Sequence, residues 1–210
     1  MAVGDGLLLF NGDGQEYPAT VAAIDKKSVT VQTRVPVSAD RESPLAIHLG
    51  IAISRGDRMD WIAQKATELG VQSITPLLTQ RTGVKLKGER AQKKIDHWRQ
   101  VAISACEQCG RNRLPEIASL QPLADWLEST EATRKFVLHH RTDAGATGAE
   151  TVDSIALLVG PEGGLSADEI HAAESAGYHS LSLGPRVLRT ETAPLAAIAI
   201  LQARWGDMRL

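Results

Sequence analysis

Aromatic residues are scarce in this chain. They make up 4% of its 210 residues, so an interior of ordinary size must be built from aliphatic side chains. Cysteine is nearly absent, with two residues, which excludes a disulfide framework. Those two, Cys106 and Cys109, form a lone C-x-x-C. A zinc site of this type needs a second ligand pair. The pair also lies deep in a helical pattern, not at a helix start, where a thiol gains a low pKa. Both read as packing or helix-end residues of a protein in the reducing cytoplasm. No apolar run is long enough to span a bilayer, and Met1 opens no signal-peptide pattern. An excess of positive charge is missing as well: 23 basic residues face 25 acidic ones. Neither G-x-x-x-x-G-K-[ST] nor a G-x-G-x-x-G after a strand occurs, so no phosphate cradle of these kinds is present.

Charge is nonetheless unevenly placed. Between Arg81 and Arg113 there are nine basic residues and three acidic ones. A phosphate-binding surface and a solvated helix face both fit such a stripe. Hydrophobic content of 43% with 23% charged residues describes an ordinary globular chain of one large or two small domains.

The first forty residues read as β structure. Strands are expected over 7–10, 19–24 and 28–33. Asn11-Gly12-Asp13-Gly14 forms a hairpin turn and Asp25-Lys26-Lys27 a second one. The proline-bounded segment 36–44 reads as a linker between domains 1–40 and 44–210. From Leu45 the rhythm becomes strand then helix. Strands are expected over 45–54, 73–78, 134–139, 154–159 and 180–183. A helix starts at Asp57 and ends at Gly70, with Met59, Ile62, Ala63, Ala66 and Leu69 on one face. A long helix over 89–106 turns Ile95, Trp98, Ala102 and Ala105 inward, and a short one covers 123–128. Ser166 and Glu169 form a capping box for a helix ending near Gly177. The last helix covers 190–205, with Leu195, Ile198, Leu201 and Trp205 inward. Segment 142–148 is of low complexity and reads as a mobile loop. The alternation predicts an α/β fold with a mostly parallel sheet and helices on both faces.

Two glycine-bearing loops stand out. The first is Leu157-Leu158-Val159-Gly160-Pro161-Glu162-Gly163-Gly164-Leu165-Ser166. The second is Leu181-Ser182-Leu183-Gly184-Pro185-Arg186-Val187-Leu188-Arg189-Thr190-Glu191-Thr192-Ala193. Each follows an apolar run and precedes a helical pattern, the position at which α/β sheets bind ligands.

The motifs L-L-V-G-P-E-G-G-L-S-x-x-E and L-G-P-R-V-L-R-x-E-T-A resemble the signature of the ribosomal small subunit RNA methyltransferases E (RsmE), of the SPOUT superfamily. Segments 64–71, 76–81 and 105–111 are similar to that family too. The resemblance runs from about Gly4 to the C-terminus. It implies S-adenosylmethionine-dependent methylation of N3 of one uridine in small-subunit rRNA, on free rRNA or the assembled subunit. It implies a C-terminal trefoil knot, a homodimer, and an N-terminal β-barrel resembling a PUA domain. Family members carry further residues, some of them basic, ahead of the position matching Met1. The β domain is therefore expected to be partial. Two alternatives stand beside this: a SPOUT enzyme acting on another RNA such as tRNA, and a non-catalytic RNA-binding protein.

Under that resemblance, Leu138, His139, Gly160, Pro161, Glu162, Gly163, Leu183, Gly184, Val187 and Leu188 form the cofactor set. Glycines there let backbone groups reach the adenine and ribose; they also serve tight turns in general. Arg189, then Arg186, are candidates to face the uridine anion. Phosphate binding or an ion pair with Glu191 or Glu162 fits both arginines equally. Glu162 is a candidate to orient the base or accept its proton, or to cap the helix at Ser166. Arg81, Lys85, Lys87, Arg90, Lys93, Lys94 and Arg111 are expected at the RNA, with Glu107 and Gln108 at RNA or the dimer partner. His139 and His140 are adjacent and, on a strand, point to opposite faces, so no metal is expected.

Overall fold

The structure is a computed structural model that describes residues 1–84, 86–139 and 151–208. Segment 142–148, His140 and Lys85 lie outside the described residues. The chain divides into two compact units, Met1–Glu42 with Cys106–Leu114, and Ser43–Ala105 with Pro115–Leu210.

The first unit is a small antiparallel sheet. Strands β1 (Gly6–Leu9), β2 (Gln15–Ile24) and β3 (Val29–Thr33) pair in that order, and β4 (Val37–Ser38) pairs the start of β2. The turn between β1 and β2 is built by polar side chains, as Asn-Gly and Asp-Gly predict. Asn11 Oδ1 accepts the Asp13 N–H at 3.1 Å, and Asp13 Oδ1 accepts the Gln15 N–H at 2.8 Å. Two features differ from expectation. β2 begins at Gln15, four residues early, because Gln15 and Glu16 pair with Ser38 and Val37. That pairing also puts a strand inside the segment expected to be a linker.

Few side chains of this sheet are buried; Ala19 and Val21 are the apolar ones. Polar contacts fasten it instead. Arg111 is 6% exposed, and its Nε donates to Glu42 Oε1 at 3.0 Å. Buried Asn112 donates from Nδ2 to the carbonyl oxygens of Ala39 at 2.7 Å and Gly14 at 3.3 Å. Arg41 pairs with Glu16. Arg111 was expected at the RNA surface; its burial and its ion pair make it a fastener of this unit. Glu107 and Gln108 are exposed. Cys106 is fully buried, and that burial pushes its thiol up to about 11, as suits a packing residue.

The second unit alternates strands and helices, as the 2-to-3.6 change of period predicts. In order these are β5 (Ala46–Ala52), α1 (Arg58–Glu68), β6 (Ser73–Leu78), α2 (Gly88–Cys109), β7 (Glu116–Ile117), β8 (Gln121–Pro122), α3 (Leu123–Ser129), β9 (Arg134–Leu138), β10 (Ser154–Val159), α4 (Ala167–Ser175), β11 (His179–Leu181) and α5 (Thr192–Trp205). The sheet runs β11-β9-β10-β5-β6-β7, with β8 also on β6. Every pairing is parallel. β5 and β10 lie at its centre and are largely apolar, as doubly covered strands must be; half-buried His48, bonded to Ser73, is the exception in β5. Ile47, Leu49, Ile51, Ile155, Leu157 and Leu158 are fully buried.

Gly50 interrupts that run for a reason of space. A Cβ there would lie 2.6 Å from the Trp126 ring. The capping box at α4 is complete: Ser166 Oγ accepts the Glu169 N–H, and Glu169 accepts the Ser166 N–H. Its other oxygen accepts the Gln80 N–H at 2.7 Å, which ties the loop after β6 to the start of α4. The last strand ends at Leu181, two residues sooner than the apolar pattern suggests. Leu183 leaves the sheet and becomes a cavity wall. The two-residue strands β7 and β8 carry no pattern that a sequence reading could detect.

Candidate active site

A parallel sheet points all its strand carboxyl ends one way. The loops after β11, β9, β10, β5 and β6 therefore meet along one rim. After β10, residues 160–164 fold back on themselves: the Gly164 N–H donates to the Pro161 oxygen at 2.8 Å. Gly164 has φ +67°. At Gly160 a Cβ would come within 2.9 Å of the Leu165 nitrogen, so the turn closes only on glycine. After β11, Gly184 at φ +96° starts a bend of irregular backbone. It ends where the Thr192 and Ala193 N–H groups both donate to the Arg189 oxygen at 2.9 Å.

Between the two loops lies a cavity of about 720 Å³, within the usual range for a small-molecule site. All ten residues of the expected cofactor set line it. Leu181, Ile170 and Val159 add apolar wall, and His171 and Glu174 add polar groups from α4. Both polar residues escape a sequence reading because they lie on a helix that shows only its capping box. Val187 is 80% exposed, an apolar side chain left open to water at the mouth. Arg186 lines the cavity; Arg189, ranked ahead of it by position in the motif, is exposed and is not among the lining residues.

Glu162 does not cap the helix at Ser166, a task Glu169 performs. Its Oε1 accepts the Arg55 N–H at 3.0 Å and Arg58 Nη1 at 2.7 Å. Burial works to raise this carboxyl, but the Arg55 N–H and the guanidinium groups of Arg58 and Arg55 outweigh it and hold it below the ordinary range. These two bonds make Glu162 a fastener of the first loop. Arg58 Nε also lies 3.3 Å from Glu191 Oε2, so one guanidinium joins both loops. Glu162 and Glu191 were the partners expected for Arg186 and Arg189; Arg58 takes them. The signal for Arg58 was the strand–turn–helix step at 53–58. It is equivalent to the two glycine loops once β5 is known to neighbour β10.

Arg81 was expected at RNA. It lines the cavity, and its Nη1 donates to the carbonyl oxygens of Gly163 at 2.9 Å and Leu165 at 3.2 Å. Lys87, Arg90, Lys93 and Lys94 are exposed at the start of α2. Lys93 pairs with Glu89 at 2.8 Å, while Lys87, Arg90 and Lys94 have no carboxylate partner among the described residues. No cluster of three or more His, Cys, Asp or Glu able to hold a metal occurs among the described residues. No helix among them is long and apolar enough to cross a membrane.

Residues 41–202 match the family model of the RNA methyltransferase domain, and residues 1–33 that of the RNA methyltransferase PUA domain. The chain is 36% identical to the ribosomal RNA small subunit methyltransferase E of Buchnera aphidicola (from Acyrthosiphon pisum), over 100% of this chain and 83% of that protein. The chain belongs to the ribosomal RNA small subunit methyltransferase E family. The Bacillus subtilis member is 30% identical over 96% of this chain and 82% of its own length. A Legionella pneumophila protein solved in complex with bound cofactor SAM superimposes with a TM-score of 0.92 at 43% identity, covering 99% of this chain and 86% of that one. The family member of Neisseria gonorrhoeae, bound to S-adenosyl methionine, gives 0.91 at 38%, with the same coverage. Membership makes this chain an rRNA methyltransferase with a SPOUT-type α/β domain and a PUA-type sheet.

Proposed function

We propose that this protein transfers a methyl group from S-adenosylmethionine to N3 of a uridine in small-subunit rRNA, and that the cavity between the two loops holds the cofactor. The observation that carries the reading is that two separate family motifs wall one cavity at the strand carboxyl ends. The residues suit such a ligand. Leu138, Leu183, Val187 and Leu188 offer an apolar wall to an adenine, and the bend at Gly160 has no room for a side chain. When bound, the cofactor supplies a methyl group activated on a sulfonium sulfur.

What remains for the chain is alignment and charge. Holding two reactants in line is worth about 7–11 kcal/mol. The Arg58 bridge and the Arg81 hydrogen bonds hold the first loop rigid for that purpose. Uridine N3 gives up its proton to water, and the anion spreads onto its two carbonyl oxygens. A guanidinium at the cavity wall, Arg186, compensates that charge. Lys87, Arg90 and Lys94 bind rRNA phosphates, so affinity falls steeply with salt. The protein works in the cytoplasm as a homodimer, with its C-terminal segment threaded as a trefoil knot, on free rRNA or on the assembled subunit.

Mass spectrometry of small-subunit rRNA from a deletion strain tests this. Loss of a single N3-methyluridine is expected. An unchanged rRNA with an altered tRNA transfers the activity to another RNA. Calorimetric binding of S-adenosylmethionine without methyl transfer to assembled subunits leaves a non-catalytic binder.

A further inference from the structure

The cavity between the loops has a neighbour. Arg55, Gly56, Asp57, Arg58, Trp61 and Glu191 line a second, more open depression of about 580 Å³. The two share a wall. Glu162 lines the first and is bound by the Arg55 N–H and the Arg58 guanidinium, which line the second. Glu191 lines the second, and the preceding Thr190 lines the first. The two hollows therefore lie on either side of the Glu162–Arg58 pair.

The lining is unusual for a surface hollow. Trp61 is 51% exposed, while Met59 and Ile62 on the same helix are buried. An indole left in water forfeits the gain of burying it. Lys65 Nζ stands 5.2 Å from its ring centre. The Arg55 guanidinium packs where a side chain on Gly83 would stand, within 2.6 Å of that position. It has no carboxylate bonded to it among the described residues, because Glu162 takes the Arg55 backbone N–H and the Arg58 side chain instead. A half-exposed indole and a planar cation with no hydrogen-bonded carboxylate among the described residues are the two kinds of group that hold an unstacked base.

We propose that this depression receives the nucleobase to be methylated, with Trp61 stacked on its face and Arg55 hydrogen-bonded to one of its carbonyl oxygens. The assignment rests on the methyl-transfer reading above and adds to it the acceptor subsite. It makes Arg55 a partner of Arg186 in charge compensation and leaves Arg189 outside.

The test uses the full chain with Trp61→Ala, Trp61→Phe, Arg55→Gln and Arg55→Lys. Substrates are S-adenosylmethionine and small subunits from the deletion strain. Trp61→Ala is expected to raise KM for the subunit about 5- to 150-fold, the range of one base–aromatic stack. S-adenosylmethionine affinity by calorimetry stays unchanged, and Trp61→Phe recovers most of the loss. Arg55→Gln lowers kcat, and Arg55→Lys recovers part of it. Variants with wild-type kcat and KM overturn the subsite. So does a parallel loss of cofactor affinity, or a change of oligomeric state in Trp61→Ala by sedimentation, which assigns the indole to an interface between copies. A wild-type protein that methylates no subunit overturns the methyl-transfer reading as well, whereas an active wild type with indifferent variants overturns the subsite alone.

Discussion

The two units of this protein are held together by different means. In the N-terminal sheet, Leu8, Ile24, Val29 and Val37 are exposed apolar residues, and fastening falls to Arg111–Glu42, Arg41–Glu16 and Asn112. In the second unit, both faces of the central strands are covered and the interior is aliphatic. Apolar burial is non-directional and tolerant of small shifts. A buried ion pair is intolerant, because losing one partner strands the other. The same chain therefore contains a robust frame and a region whose integrity hangs on a few polar atoms.

The largest expected effect sharpens this contrast. Leu157→Ala opens a hole at the centre of the parallel sheet and should cost about 2–5 kcal/mol. Val21→Ala in the N-terminal sheet removes about two methylene equivalents and should cost roughly 1.5 kcal/mol. Chemical denaturation with a probe in each unit checks both; equal costs would erase the distinction. Glu42→Gln should destabilise the N-terminal unit by about 1–3 kcal/mol, since the buried Arg111 loses its charge partner. Hydrogen exchange of β2 amides reports it. A double substitution, Glu42→Gln with Arg111→Met, should recover part of that loss.

Arg58→Ala acts on the site more than on the frame. Its ion pairs are partly solvated, so the melting temperature should move little. S-adenosylmethionine affinity should fall about tenfold, or about 1.4 kcal/mol, as the two loops lose their common tie. Calorimetry at constant salt measures it. The smallest effect is one of pH. The folded-state pKa of Glu162 is depressed. Its contribution to loop order is therefore complete above the ordinary carboxylate pKa and is lost as the pH falls through the lower, folded value. Cofactor affinity should hold from neutrality into mild acid and weaken below that ordinary value; Glu162→Gln should flatten that part of the profile.

The strand–helix alternation and the capping box at Ser166 were readable because they obey local rules of period and hydrogen bonding. The two glycine loops were readable as a pair through their motifs. Arg55, Arg58 and Trp61 were not, since their place beside the loops follows from the sheet order β9-β10-β5, which no local pattern encodes. Arg111 misled for the complementary reason. Its neighbours 81–99 are cationic and exposed, and only tertiary packing pairs it with a residue 69 positions away. The end of β11 was placed late because Leu183 is apolar for a cavity, not for a sheet.

β11 joins the edge of the sheet by pairing with β9 over three residues, and the loop that follows it supplies one side of the cavity. An edge strand held by so few pairings is expected to fray before the covered centre of the sheet, so on heating the pocket should come apart ahead of the frame that carries it.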